Sequence, residues 1–422
     1  MWVAIAVLLG RAARWAARLR GGGSAIPGRV LLALVPGFLA RAVERMPLGV
    51  VFVLGSNGKS TTTNMLVSIL REHGVSVFSN PAGGNLPQGI ASAMLANVPL
   101  SGRLREEIAV LEVDEAYGPA LAAALNPQSA LLLNIQVDQL NRFYEPERVV
   151  AMLETIAKFA TSALVINADD DNLRPLGVRV AAKTGARLEY FGVSDSVRDA
   201  APNGLANAEV YGEQSDPVVP ATVVTALTGP SATIDIAGDS VELRLPARGL
   251  HYAVDVAGAA SMASVLLGDR FETAHVAAAM GSLSTVYGRG ETLSYRGEEI
   301  EIIMMKNKPS LQMNLDYLER QPEQLLITVD EGTPDPSWLY DIDFSQVSHV
   351  DVISGTKAWL IAARMAYSEI PVGAVLPDIK SALKEFLALP KPSVGNKMMI
   401  VNYEQMMLIR KQFGFLDLEG GS

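Results

Sequence analysis

The sequence predicts an α/β fold in two parts, a larger domain with a mostly parallel sheet and a smaller C-terminal Rossmann-like α/β domain. Apolar runs that suit buried parallel strands alternate with stretches of helical spacing, as in Gly49–Leu54 followed by Thr61–His73. After a polar interval the same alternation resumes from Ile300. A chain of 422 residues is long enough for two or three domains.

The other predicted elements follow this alternation along the chain. Buried strands are expected at Ile108–Val113, Ala130–Asn134 and Ala163–Asn167, and then near Leu325–Val329, Val350–Ser354 and Lys397–Val401. Between the two sets lie an irregular insertion at about residues 194–232, a hairpin at Thr233–Leu245 and a helical stretch at Ala253–Leu283. We therefore divide the chain into an N-terminal helical arm at 1–46, a central domain at 47–295 and a C-terminal domain at 296–422.

Composition excludes several classes of function. The net charge is −10 and there is no long cluster of Lys and Arg, which argues against nucleic acid as the main partner because phosphate neutralisation needs a basic surface. The chain has no cysteine, so it contains neither a catalytic thiolate nor a cysteine-ligated zinc site. We expect no zinc.

The N-terminal arm begins with an apolar run followed by arginines. The run of about ten residues is too short to span a bilayer, and its basic residues follow it, which is the wrong order for a secretory signal. We therefore expect a cytoplasmic protein. Two placements of this helix stay open: packing on its own domain, or lying on the inner face of an anionic membrane with Trp2, Leu8, Leu9 and Trp15 toward lipid.

A phosphate-binding loop is predicted between the first buried strand and the helix that follows it. Its residues are Gly55, Ser56, Asn57, Gly58, Lys59, Ser60 and Thr61. Glycines let the backbone approach phosphates, and the lysine places a charge at the β- and γ-phosphates. Ser60 offers a hydroxyl to Mg²⁺. A glycine turn with an exposed lysine is the alternative, but the strand and helix on either side favour ATP and Mg²⁺ binding.

Acidic residues follow two other predicted strands. Glu112 ends an apolar strand, so its carboxylate should lie at the carboxyl end of the sheet, where α/β proteins bind ligands. We expect Glu112 to hold Mg²⁺ opposite Ser60. Asp114 and Glu115 either assist it or form a solvated acidic turn. Asp138 is a further metal candidate, with a structural cap as the alternative.

Several motifs then follow the phosphate loop in an order that chance does not explain. They are Asn80–Ile90, Glu112–Glu115, Asn134–Arg142, Asn167–Asp170, Gly288–Glu291, Lys306–Asn307, Ser337–Asp341 and Ser354–Gly355. With these motifs the sequence resembles the MurT family of Mur ligase homologues over nearly its whole length. The resemblance implies a Mur-ligase-like central nucleotide-binding domain followed by a MurT-type C-terminal domain.

The resemblance also implies an activity. ATP would convert the α-carboxyl of D-glutamate in the lipid II stem peptide into an acyl phosphate, and ammonia would then give D-isoglutamine for peptidoglycan biosynthesis. The ammonia would come from a GatD-type glutamine amidotransferase subunit that bears the nucleophilic cysteine. A cysteine-free chain is compatible with that division of labour.

Individual residues take their roles from this resemblance. Lys59 and Glu112 would serve the activation step. Asn85 would contact phosphate or substrate, Arg289 would reach the phosphates, and His251 would contact the base, although His251 also suits a buried structural position.

A further carboxylate would act on the partner subunit. Asp341, in the sequence Ser-Trp-Leu-Tyr-Asp, would complete the Cys-His pair of the glutaminase, with Asp335 and Asp343 as alternatives.

The sequence departs from the family at several positions, and two of these departures bear on metal and nucleotide binding. The usual four-cysteine zinc ribbon is missing, and Tyr252 and Asp255 stand where the family has asparagines on the adenine side. Two other functions therefore stay open. One is a Mur-like ligase with another carboxylate acceptor, and the other is a non-catalytic nucleotide-binding scaffold for an amidotransferase.

Overall fold

The computed structural model describes residues 2–19, 25–80, 84–136, 146–210, 215–283, 289–333 and 335–415. Within these ranges the chain forms two sheets in succession, each covered by helices on both faces. The predicted α/β class is confirmed. The domain limits at 46 and 295 stay a prediction, and the first strand of the second sheet already begins at Arg289.

The first sheet has nine described strands in the order β2-β3-β1-β4-β5-β6-β7-β8-β9. Strands β2 to β7 of this order run parallel, and β8 and β9 add an antiparallel edge. Strands β1 to β9 are Val50–Leu54, Val77–Ser79, Ile108–Glu112, Ser129–Leu132, Ala163–Asn167, Arg187–Val193, Thr222–Thr228, Ser231–Ile236 and Asp239–Arg244. The central strands are apolar throughout because both of their faces are buried.

Helices α1 to α11 cover this sheet. They are Trp2–Leu19, Ile26–Leu34, Phe38–Val43, Lys59–Glu72, Pro87–Asn97, Gly118–Leu125, Pro146–Ala157, Leu173–Thr184, Asp195–Asp199, Leu250–Leu267 and Thr273–Ser282. One apolar core lies between the sheet and the N-terminal helices, and another lies between the sheet and α4, α10 and α11. The two cores hold the carboxyl ends of the central strands in fixed positions.

The predicted irregular insertion at 194–232 is wrong in part. Thr222–Thr228 forms strand β7, which pairs in parallel with β6 and antiparallel with β8. Its β-branched residues suit a strand, but the surrounding Pro and Gly residues obscured that signal. The segment also contains the short helix Asp195–Asp199, whose N-cap Ser194 accepts a hydrogen bond from the backbone of Val197.

The second sheet has six described strands in the order β10-β11-β15-β12-β13-β14, with only β10 antiparallel. Strands β10 to β15 are Arg289–Tyr295, Glu298–Met304, Leu325–Thr328, Val350–Ser354, Val372–Val375 and Lys397–Val401. Helices α12 to α15 are Lys308–Asp316, Ala358–Tyr367, Ile379–Ala388 and Tyr403–Gln412, and two 3-10 helices lie at Gly268–Arg270 and Ser337–Asp341. The last described strand, β15, lies between β11 and β12, so this sheet is parallel apart from β10 but does not have the standard Rossmann strand order.

Among the described residues, one helical segment is long and apolar enough to cross a membrane. It is Leu250–Arg270, and 72% of its most apolar window is buried inside the protein. Because it packs against the first sheet and α4, it is a core helix of the fold.

Candidate active site

The predicted phosphate loop connects β1 to α4. The loop is tight because Gly55 and Gly58 have φ angles of +145° and +86°, which side chains disfavour. A Cβ at Gly58 would lie 2.5 Å from a carboxylate oxygen of Asp255, and one at Gly55 would lie 3.0 Å from the Cβ of Leu133. Helix α4 begins at Lys59, so the unpaired amides of its first turn lie at the end of this loop.

Polar side chains after β4 hold the loop in shape. Asn134 accepts a hydrogen bond from the Asn57 backbone N–H at 3.0 Å and donates to the Asn57 carbonyl at 3.1 Å. The Gln136 backbone N–H donates to the Ser56 hydroxyl at 3.0 Å, and the Asn57 amide donates to the Gln136 side chain at 2.6 Å. The loop is therefore preorganised by its neighbours rather than by its own sequence alone.

A buried carboxylate supports the segment that carries Asn134 and Gln136. Asp170 accepts hydrogen bonds from the backbone N–H groups of Ile135, Asn172 and Leu173. Burial raises the pKa of Asp170 to about 6. Its protonation state therefore bears on the segment that braces the phosphate loop.

Glu112 occupies the position that the sequence predicted. It is buried, ends β3 and pairs with Val53 of β1, two residues before the loop. Asn80 fixes its backbone by accepting from the Glu112 N–H and donating to the Glu112 carbonyl, both at 3.0 Å. The Asn80 amide also donates to the carbonyl of Gly84, which places Asn85 beside this corner of the site.

The loop lysine forms an ion pair that the sequence left undecided. Lys59 Nζ lies 2.6 Å from a carboxylate oxygen of Glu115, and both side chains are largely buried. Lys59 also donates to the carbonyl of Gly55. Glu115 therefore belongs to the site and is not part of a solvated turn, whereas Asp114 accepts a local bond from the Ala116 backbone.

The second half of the chain reaches the same loop. Lys306 Nζ donates to the Ser56 carbonyl at 3.1 Å, and the side-chain amides of Asn307 and Asn57 lie 3.3 Å apart. Both residues follow β11, and Asn307 caps α12. Sequence reasoning used this pair only as part of a resemblance, because nothing local indicates a contact across 250 residues.

The start of α10 lies beside the loop as well. Asp255 is the buried residue that faces Gly58, and His251 precedes it by one helical turn. The ring of His251 lies 4.1 Å from the ring of Tyr252, measured between centroids. The two residues that replace asparagines on the adenine side, Tyr252 and Asp255, are thus both buried within the nucleotide-binding half of the site.

For three predicted site residues, Ser60, Arg289 and Asp138, the described part of the structure gives no side-chain contact within the site. Ser60 is the second residue of α4 and is partly exposed. Arg289 begins β10 and pairs with Ile303, three residues before Lys306, but its side chain lies outside the described residues. Asp138 also lies outside the described residues.

The three aspartates proposed for the partner's active site differ in their environment. Asp335 accepts a bond from the Ser337 backbone, which lowers the pKa of Asp335, and Asp343 accepts one from the Ser345 backbone. Both therefore act as turn residues. The Asp341 side chain is 67% exposed and lies 3.8 Å from Lys308. Of the three, Asp341 is the carboxylate most available to another subunit.

An exposed aromatic surface lies on the 3-10 helix that ends at Asp341 and on helix α13. We call it the aromatic face and define it by Tyr340 of the 3-10 helix with Trp359, Leu360 and Tyr367 of α13, all of which are exposed. The rings of Tyr340 and Tyr367 lie 5.9 Å apart. Arg364 packs against both rings.

The same arginine fixes the loop that carries Asp341. The Arg364 guanidinium donates to the carbonyls of Leu339 and Ile342 at 2.7 and 2.9 Å. Asp341 lies between these two residues, so its backbone is held against α13 while its side chain faces solvent.

The phosphate loop fits a nucleotide and a hard divalent cation. There is no room for a side chain at Gly55 or Gly58, and helix α4 begins with its N-terminus at the loop. The Ser60 hydroxyl and the Glu112 carboxylate are oxygen ligands of the type that Mg²⁺ prefers. Among the residues that the structure describes, there is no cluster of three or more His, Cys, Asp or Glu side chains that would hold a metal without such a nucleotide.

Comparison with known proteins identifies a Mur ligase middle domain at residues 53–260. The chain is 25% identical to the lipid II isoglutaminyl synthase subunit MurT of Streptococcus pneumoniae over 87% of each chain. It is 24% identical to the MurT subunit of Staphylococcus aureus over 99% of this chain and 98% of that protein. The resemblance to the MurT family is thereby confirmed.

A solved structure shares the fold. The MurF ligase of Thermotoga maritima in complex with ADP superimposes with a TM-score of 0.65 and 19% sequence identity, over 92% of this chain and 84% of that one. This likeness shows the Mur ligase fold.

Proposed function

We propose that this chain, which contains a Mur ligase middle domain and is similar to MurT subunits along nearly its whole length, amidates the D-glutamate α-carboxyl of lipid II. It is an ATP-dependent ligase of the Mur type. The acceptor, the ammonia source and the partner are the proposal. One observation carries them: a cysteine-free chain combines a braced phosphate loop with an exposed aspartate on an aromatic surface.

The phosphate loop supplies the activation step. Lys59 would stabilise the charge that develops on the transferred phosphoryl group, and Ser60 and Glu112 would hold the Mg²⁺ that neutralises phosphate charge. An oxygen of the substrate carboxylate attacks the γ-phosphorus, the bond to ADP breaks, and an acyl phosphate forms. Ammonia then attacks the acyl carbon, inorganic phosphate leaves, and a proton is lost to give the amide.

The polar contacts of Lys59 and Lys306 suggest how the loop accepts phosphates. Glu115 holds the Lys59 ammonium over the loop, and phosphate oxygens would compete for the same ammonium. Lys306 brings a second cation from the C-terminal half to the Ser56 carbonyl. Lysines from both halves thus contact the same loop, at the carbonyls of Gly55 and Ser56, and both would attract the phosphates of ATP.

The C-terminal half is suited to a glutaminase partner. Asp341 is exposed and flanked by the aromatic face, and exposed tyrosine and tryptophan are enriched where proteins associate. A carboxylate from this chain would orient the histidine of the partner's Cys-His pair. The chain itself has no cysteine, so a cysteine nucleophile for glutamine hydrolysis would have to come from another subunit.

Mass spectrometry of lipid II tests the proposal. The purified chain and its GatD-type partner are incubated with lipid II, ATP, Mg²⁺ and glutamine carrying nitrogen-15 in its amide. We expect one labelled nitrogen in the stem peptide, located at the D-glutamate α-carboxyl by fragmentation. Reactions without ATP, and reactions with Lys59→Ala, should give no labelled product.

Other results would favour the alternatives. ATP turnover without labelled lipid II would contradict the acceptor and favour another carboxylate. Failure of the wild-type chain to bind ATP with Mg²⁺ would contradict every ligase reading and favour a scaffold.

A further inference from the structure

The N-terminal helix α1 has an unusual outer face. Of its exposed side chains that the structure describes, only Arg11 is polar. The exposed apolar residues are Trp2, Ile5, Leu8, Leu9, Ala12, Trp15 and Ala16. Their spacing places them on one side of the helix, which we call the outer face. A helix that merely covers a soluble domain would expose polar residues there.

The opposite side of α1 is fixed to the protein. Ala6 and Val7 are fully buried, and a Cβ at Gly10 would lie 2.8 Å from Leu95 of α5. The Trp2 indole donates to the Leu34 carbonyl of α2 at 3.0 Å. The expectation that this helix packs on its own domain is therefore right, but the packing leaves the outer face uncovered.

The charge of this segment is opposite to that of the rest of the chain. Residues 1–46 contain seven arginines and one glutamate, which gives a net charge of +6. Residues 47–422 contain the other 28 basic and 44 acidic residues, a net charge of −16. Arg11 and Arg41 donate to the backbone carbonyls of Val98 and Ser101, and such bonds do not neutralise their charge.

We propose that the outer face of α1 docks on an anionic lipid bilayer. Apolar side chains with tryptophan on an amphipathic helix, flanked by arginines, match the boundary between headgroups and acyl chains. Each arginine near an anionic surface adds about 1 kcal/mol of attraction. A second copy of the chain would meet the same positive charge, so a self-association through this face is disfavoured.

The purpose of this docking rests on the proposed function. A lipid-linked acceptor lies at a membrane surface, so docking would bring the chain to its substrate. Helix α5 connects the two regions. It packs against α1 through Leu95, and it begins at Pro87, just after Asn85 at the corner of the site. The docked face and the substrate side of the phosphate loop are therefore held by one helix.

Vesicle flotation of the full-length chain tests the docking directly. The vesicles contain phosphatidylcholine alone or phosphatidylcholine mixed with phosphatidylglycerol. We expect binding to the mixed vesicles that weakens with salt, and little binding to phosphatidylcholine alone. Leu9→Glu should weaken binding about tenfold, since it removes the insertion of one leucine and adds a negative charge.

Matched variants separate docking from other effects. Val219→Glu makes a similar change at a residue that is 94% exposed outside the outer face, and its binding should equal that of wild type. Arg29→Gln, at an exposed position of α2, should weaken binding about fivefold at low salt. Equal thermal melting of all variants would show that the fold is intact.

Several results would overturn the proposal. These are no binding to mixed vesicles, equal binding to both kinds, an equal loss in Val219→Glu, or a dimer in solution that Leu9→Glu dissociates. Lys59→Ala should bind vesicles like wild type. Vesicle binding therefore tests docking independently of whether the ligase proposal holds. In detergent solution Leu9→Glu should amidate lipid II at the wild-type rate, and a loss there would contradict a docking role.

Discussion

The phosphate-loop region and the Asp341 region hold their carboxylates in opposite environments. Glu112 is 7% exposed, and Asn80 bonds its backbone on both sides. The Asp341 side chain is 67% exposed and lies 3.8 Å from the ammonium of Lys308. A buried, oriented carboxylate suits a ligand enclosed by this chain, whereas an exposed one beside aromatic residues suits another subunit. The first half of the molecule is thus suited to bind a ligand that it encloses, and the second half is suited to contact another protein subunit.

Removing the loop lysine should have the largest effect, a nearly complete loss of the activity of the phosphate-loop region. Lys59→Ala is expected to lower the rate of ATP-dependent amidation by about 10³- to 10⁴-fold, because it removes the charge that stabilises the transferred phosphoryl group. The rate is measured with ammonium chloride as the nitrogen source. The exposed Lys183→Ala should keep the wild-type rate. A loss of less than tenfold in Lys59→Ala would contradict the assigned role.

Neutralising Asp341 should affect only the second region. We expect Asp341→Asn to lower glutamine-dependent amidation about 10²- to 10³-fold, while ammonium-dependent amidation stays at the wild-type rate. The split between the two nitrogen sources distinguishes a role in the partner's glutaminase from a structural role. Asp343→Asn, which removes only a turn contact to Ser345, serves as the control. Equal losses with both nitrogen sources would contradict the assignment.

The buried Asp170 should make the stability of the first region depend on pH. Its pKa is raised by burial to about 6, so the folded protein binds this proton more tightly than the unfolded chain does. The contribution of Asp170 to the free energy of unfolding is therefore greatest below about pH 4. It falls by at most about 3 kcal/mol as pH rises through about 6. Chemical denaturation should show that the free energy of unfolding of wild type falls, relative to that of Asp170→Asn, as pH rises through this range. An identical slope in both would contradict the assignment.

The contact between the two halves should contribute the smallest of these effects. Lys306→Met removes the bond to the Ser56 carbonyl and should raise the KM for ATP about tenfold with little change in kcat. Lys308→Met, two residues along the chain, should leave the KM for ATP unchanged in the ammonium assay. An unchanged KM in Lys306→Met would mean that the contact of Lys306 with the loop does not serve ATP binding.

The sequence predicted those parts of the site that depend on local pattern. The strand, glycine loop and helix around Lys59 are contiguous, and Glu112 ends its own apolar run, so both positions were predictable. The contacts of Lys306 with the loop and of Glu115 with Lys59 depend on how distant segments pack, which no local pattern encodes. Strand β7 was missed because Pro and Gly residues around it weakened the signal of its β-branched residues.

The comparison also explains why a resemblance was needed for Asp341. All three aspartates are exposed, and only the three-dimensional contacts show that Asp335 and Asp343 each accept a backbone hydrogen bond in a turn, whereas Asp341 lies near Lys308. By contrast, the apolar outer face of α1 follows from spacing alone. Its exposure required knowing which side of the helix packs on α5.

The central claim is that the phosphate loop activates a carboxylate as an acyl phosphate. Oxygen-18 placed in the α-carboxyl of the D-glutamate of lipid II tests it most directly. With ATP, Mg²⁺ and ammonium, we predict that one labelled oxygen appears in the inorganic phosphate for each amide formed. Amide formation with unlabelled phosphate would contradict the claim.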